Sequence, residues 1–113
     1  MHMKIDIATK NIDLDQPLRV WIEDKIGGLE QIAQELGELH VRVEIGKPSQ
    51  HHHKGPVFYA EANFHIGTHT LRAEATHEDL RAAIIDVKEE LHLQIKKFKE
   101  KIEDKERESL PEA

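Results

Sequence analysis

The sequence predicts an α+β fold in the order β-α-β-β-β-α, a four-stranded mixed sheet with two helices packed on one face. Four segments alternate apolar and polar residues, the period of a strand that buries one side. Two longer segments repeat apolar residues every three or four positions, the stripe of a helix resting on a core. Each element therefore has one side to hide, and a layer of helices against one sheet face hides them all.

In the first strand Met3, Ile5 and Ile7 alternate with Lys4, Asp6 and Ala8. Asp15-Gln16-Pro17 then signals a helix start. The aspartate can accept from free first-turn amides, and proline near the start gives up no hydrogen bond. Leu18, Ile22, Ile26, Leu29, Ala33 and Leu36 form one stripe, which predicts an amphipathic helix ending near Gly37. Gly27-Gly28 should weaken or bend its middle, because each glycine costs about 1 kcal/mol relative to alanine.

Leu39, Val41, Val43 and Ile45 make a second half-buried strand, followed by a loop over 46–56 whose tip is Gln50-His51-His52-His53-Lys54-Gly55. Phe58, Ala60, Ala62, Phe64 and Ile66 lead through a Gly67-Thr68 turn to Leu71, Ala73 and Ala75, a hairpin of strands three and four. Thr76-His77-Glu78-Asp79 reads as a capping box, with Asp79 in the place of the usual glutamate. It opens a long helix with Leu80, Ile84, Val87, Leu91, Ile95, Phe98 and Ile102 on one stripe. The first two strands, joined through a helix, should be parallel and the others antiparallel. His40, Arg42, Glu44, Glu61, Asn63, His65, Arg72 and Glu74 should line the open sheet face.

Residues 1–102 are thus expected to form one folded domain, and residues 103–113, with five acids, two bases and no apolar period, a flexible acidic tail. The 113-residue chain is of a size for one core. It contains no cysteine and no apolar run long enough for a membrane span, so a cytoplasmic protein without disulfides or thiolate metal sites is expected. A net charge of −6 is the wrong sign for bulk attraction to nucleic acid, so any RNA surface must be a local patch.

One such patch is visible. Arg81, Lys88, His92, Lys96 and Lys99 fall along one flank of the last helix, while Lys97 and Lys101 fall on the opposite flank with Asp86, Glu90 and Gln94. A line of cations can track phosphates; the same line also suits an ordinary solvated helix face. Three adjacent histidines, His51–His53, suggest a metal only weakly, because neighbouring imidazoles on a loop rarely enclose one ion. Trp21 and Tyr59 suit the rim of the core better than base stacking, since neither belongs to a paired aromatic platform. Glu23, Asp24, Glu30, Glu89 and Glu90 read as solvated helix charges.

The stretch from Leu71 through Ala73, Thr76-His-Glu-Asp79 and Arg81 to Ile84, followed by Gln94-Ile-Lys-Lys-Phe-Lys-Glu-Lys101, resembles the ribosome hibernation promoting factor family, which includes the ribosome-associated inhibitor also called protein Y. The helix start Leu18-Arg-Val-Trp-Ile-Glu-Asp-Lys-Ile26 and the loop His52-His-Lys-Gly55 are similar to it as well, so the resemblance spans about residues 3 to 101. It implies a short form that binds the small ribosomal subunit and its ribosomal RNA near the decoding region. Messenger and transfer RNA would be blocked there during stress or stationary phase, with no catalysis, cofactor, membrane or small-molecule substrate. The RNA-binding residues so implied are Lys25, Lys54, Arg81, Lys88, His92, Lys96, Lys97, Lys99 and Lys101, in a protein that is a monomer or weak dimer off the ribosome.

The family tends to carry bases where this chain has Gly28, Glu90 and Leu93, and often tyrosine where it has Arg81. Those losses, with the net charge, leave a second expectation: a diverged protein-interaction module of the same fold with weak or no RNA binding. A double-stranded RNA-binding domain shares the helix-three-strand-helix core, but it lacks the extra first strand and has a lysine-rich helix start that is missing here.

Overall fold

The computed structural model describes residues 3–48 and 57–109. Its elements are β1 (Lys4–Lys10), α1 (Gln16–Gly27), α2 (Glu30–Ala33) with a 3-10 turn at Gln34–Leu36, β2 (Leu39–Gly46), β3 (Phe58–Ile66), β4 (His69–His77) and α3 (Leu80–Ser109). The sheet order is β1-β2-β3-β4, with β1 and β2 parallel and the other pairs antiparallel. This is the predicted α+β arrangement, with the helices over one face.

The register explains how that face is filled. Val41 stands opposite Phe64 and Phe64 opposite Leu71; Val43 opposite Ala62 and Ala62 opposite Ala73; Ile45 opposite Ala60 and Ala60 opposite Ala75. Small alanines on β3 and β4 leave room for α3, whose Ala83, Ile84, Val87, Leu91 and Ile95 are buried with Leu18, Ile22, Ile26 and Leu29 from the first helical segment. No polar or charged residue is buried among the described residues, so the core is held by apolar packing alone. The opposite face carries the expected row, with Arg42, Arg72 and Glu74 exposed and the rest half buried.

Three local expectations are modified. The first helix is interrupted after Gly27, and the chain re-enters a single turn at Glu30 before Gly37 ends it with φ of 107°. Gly28 caps α1 by donating to the carbonyls of Asp24 and Ile26, so the glycine pair divides the helix as well as weakening it. Asp15 does cap α1, its Oδ1 accepting from the Leu18 amide at 2.8 Å.

At the start of α3 the capping box is displaced. Thr76 and His77 remain in β4, where His77 stands opposite Phe58, so Thr76 is not available as a cap. Asp79 takes that place by accepting from the Arg81 amide at 3.0 Å, while His77 Nδ1 accepts from the Asp79 amide at 3.0 Å. Finally, α3 continues through the acidic segment to Ser109 instead of fraying near Ile102. Glutamate, lysine and arginine propagate a helix well without an apolar stripe, and no glycine or proline interrupts them before Pro111. His51–His53, Lys54 and residues 110–113 lie outside the described residues.

Candidate functional site

The helices lie side by side on one sheet face, and cations line the junction of α1 with α3. From α1 come Trp21 and Lys25, one turn apart; from α3 come Arg81 and Lys88, two turns apart. The Arg81 guanidinium lies 4.8 Å from the Trp21 ring centroid, and Lys25 Nζ lies 5.9 Å from it. Such contacts draw a cation onto the electron-rich ring face. Trp21 is half buried and packs on the core.

Farther along, a Cβ placed on Gly28 would stand 3.8 Å from Lys88 Nζ. Lys88 therefore leans over the end of α1. His92 and Lys96 continue the line on α3, half buried and exposed respectively. Lys25 also approaches Asp24 at 3.7 Å, an exposed pair of small energetic consequence.

Lys99 behaves differently. Its ammonium donates to the Ile32 carbonyl at 3.0 Å and forms an ion pair with Glu35. The charge is used to hold α2 and its 3-10 turn against α3, which leaves less of it for an external phosphate.

The other flank of α3 faces β4 and the hairpin. Gln94 Nε2 donates to the Arg72 carbonyl at 2.8 Å and to Glu90 Oε1 at 3.1 Å, so Glu90 belongs to the β4 side. Lys101 borders a hollow with Gly67, Thr68 and His69, and Lys97 is exposed. The structure thus brings Lys25, Arg81 and Lys88 together and sets Lys97 and Lys101 apart from them. Sequence reasoning placed Trp21 at the rim but missed its contact with Arg81. The one available signal was an arginine at a position where the resembling family often has tyrosine.

The open sheet face is a second polar surface with its own bonding. His40 Nε2 lies 2.6 Å from Asp6 Oδ2, and the His40 and His65 ring centroids are 5.6 Å apart. The hydrogen bond from His40 holds the Asp6 carboxyl below its ordinary range. Glu44, Glu61 and Glu74 stand side by side across β2, β3 and β4. Arg72 bridges Glu61 and Glu74 at 3.2 and 3.5 Å, and the Tyr59 hydroxyl donates to Glu44 at 3.0 Å. Desolvation, followed by the bond to Glu44, raises the Tyr59 pKa. Among the described residues no three His, Asp or Glu side chains are grouped to hold a metal ion, and no helix is long and apolar enough to cross a membrane.

Comparison with known proteins agrees with this architecture. A family model described as "Sigma 54 modulation protein / S30EA ribosomal protein" matches residues 5–103. The chain is 30% identical over 109 residues to a ribosome hibernation promotion factor of Lactococcus lactis subsp. cremoris, covering 96% of this chain but 56% of that relative. It is 29% identical over 99 residues to a ribosome hibernation promoting factor of Pseudomonas putida, covering 88% of this chain and 89% of that one.

In structure it is similar to the N-terminal domain of Thermus thermophilus protein Y, with a TM-score of 0.70 at 23% identity over 87% of this chain and 99% of that one. A ribosomal subunit interface protein from Coxiella burnetii superposes with a TM-score of 0.66 at 20% identity, over 88% of this chain and 98% of that chain. Those two likenesses concern the fold. With a family model spanning nearly its whole length and the cation-lined pair of helices laid over a four-stranded sheet, the chain belongs to the ribosome hibernation promoting factor and protein Y family.

Proposed function

We propose that this protein binds the small ribosomal subunit near the decoding region, in the cytoplasm, and arrests translation during stress or stationary phase by occupying the paths of messenger and transfer RNA. The observation that carries the proposal is the convergence of Lys25, Arg81 and Lys88, from two helices, at the junction of α1 and α3 in a chain of net charge −6. Such a cluster concentrates positive potential where bulk charge opposes RNA, and each phosphate neutralised adds affinity that falls with salt. His92 and Lys96 extend the strip along α3. Lys54, Lys97 and Lys101 are secondary contacts in this proposal, and Lys99 contributes chiefly to the fold. The module responsible is residues 1–102, with 103–113 as an acidic appendage. The names borne by the relatives, hibernation factor and subunit interface protein, support the same partner. Obstruction requires no bond to be made or broken.

The test is co-sedimentation of the purified protein with vacant small subunits across a salt series. Binding at low salt that weakens steeply as salt rises is expected. Absence from the subunit peak at low salt, where another family member binds, would sink the proposal.

A second reading is a protein-interaction module that has lost RNA affinity. The row Glu44, Glu61 and Glu74 on the open sheet face favours it, as a surface suited to a basic partner. A saturable, RNA-dependent complex with subunits would count against it.

A further inference from the structure

We infer that Trp21 is a positioning residue for RNA binding: its ring holds the Arg81 guanidinium at the junction of α1 and α3 before RNA arrives. The inference rests on the ribosome-binding proposal above and adds to it a residue that is itself uncharged. Trp21 is fixed by packing on the core, whereas Arg81 is exposed. A free arginine would lose considerable rotamer freedom on meeting a phosphate. Holding the guanidinium over a ring that packs against the core removes part of that cost in advance.

The two demands on Arg81 are compatible in geometry. The Arg81 guanidinium carbon lies over the ring, 4.8 Å from its centroid, and a guanidinium that meets a ring through its face keeps its in-plane N–H groups available to phosphate oxygens. Among the described residues Arg81 makes no ion pair with a carboxylate, in contrast to Lys99. Lys25, 5.9 Å from the same centroid, is drawn toward the same place. One aromatic residue thereby gathers two cations that originate 56 positions apart in the chain. In a chain with glycine and leucine at positions 28 and 93, such gathering makes the remaining charges more effective.

The experiment is a double-mutant cycle on the full chain, with vacant small subunits as the probe and co-sedimentation over a salt series as the readout. Trp21→Leu should weaken binding roughly two- to five-fold, the range of an accessible cation–π contact, and Trp21→Phe should retain most of the parent affinity. Arg81→Gln should weaken binding and reduce the steepness of the log–log salt dependence by about one. In the Arg81→Gln background, Trp21→Leu should cost clearly less than it does in the parent, the remainder being the share owed to Lys25. A purely structural tryptophan, or one that stacks directly on a base, would instead give additive losses and overturn the inference, as would parent-like binding by Trp21→Leu.

Trp21 is the chain's only tryptophan, so its fluorescence supplies a readout without subunits. Arg81→Gln should change the emission of the free protein, and unchanged emission would show that the contact is not made, whatever the folding of Trp21→Leu. If the parent chain itself does not bind subunits, the functional proposal falls and this one with it. If the parent binds but the losses are additive, only the positioning role falls.

Discussion

Lys99 on α3 donates to the backbone carbonyl of Ile32 on α2 at 3.0 Å while pairing with Glu35, which makes it a tie between α3 and the α2 segment. Replacing it with methionine keeps the length of the stem and removes the charged hydrogen bond. Lys99→Met should lower stability by about 1 kcal/mol in urea unfolding. Its effect on the salt dependence of subunit binding should be smaller than that of Lys96→Met, because Lys96 is exposed.

Gly28 has φ of −59° and ψ of −21°, a helical conformation open to any L residue. A Cβ there meets ordinary neighbours, the carbonyl oxygens of Lys25 at 3.4 Å and Asp24 at 3.9 Å and Lys88 Nζ at 3.8 Å. Gly28→Ala should therefore stabilise the protein by about 0.5–1 kcal/mol through the unfolded state. Gly28→Lys should in addition strengthen subunit binding at low salt and steepen its salt dependence by about one, as read by sedimentation.

Glu90 is hydrogen-bonded to Gln94, which is itself anchored to the Arg72 carbonyl. Its charge lies on the β4 side and away from Trp21, Lys25 and Arg81. Glu90→Lys should consequently change subunit affinity less than Gly28→Lys does, although the charge change is twice as large. A larger effect from Glu90→Lys would place the RNA on the β4 flank instead.

Gly46 closes the parallel pairing of β1 with β2 opposite Lys10. A Cβ at this position would come within 2.2 Å of the Lys10 carbonyl oxygen, which also accepts from the Lys47 amide at 3.1 Å. That oxygen belongs to the backbone and cannot swing aside. Gly46→Ala should destabilise by roughly 1–3 kcal/mol, with hydrogen exchange rising first at the end of β1.

Asp6 is the group to examine in acid. Its pKa is lowered by the hydrogen bond from His40, against an ordinary value of 3.8. A depressed folded-state pKa contributes stability that is present above the unfolded value and disappears as pH falls through the folded one. Asp6→Asn should thus be less stable than the parent near pH 5, and the two should converge as pH drops below about 4. Urea midpoints measured across that range check it.

The legible parts of the fold were those in which one residue's environment follows from its neighbours along the chain. Alternation placed the faces of all four strands, and Asp15 announced α1 because a cap is made within one turn. The errors occur where sheet and helix compete for the same residues. Thr76 had the chemistry of a cap, but pairing of β4 with β3 retained it and His77 in the strand, and Asp79 capped α3 instead. The Gly27-Gly28 pair marked the weak point of the first helix, yet whether the chain would bend or break there depended on how α2 settled against α3.

The candidate site divides in the same way. By itself the sequence determined the β-α-β-β-β-α order, the buried faces, and the two flanks of α3 that separate Arg81, Lys88 and Lys99 from Glu90 and Lys101, because periodicity is a property of a single element. Only the tertiary structure decided that Arg81 rests on Trp21, that Lys88 leans over Gly28, and that Lys99 is occupied by Ile32 and Glu35. Those contacts join residues more than 50 positions apart. They depend on how closely α1 and α2 approach α3 above the alanines of β3 and β4, a distance set by packing volumes that no single segment encodes.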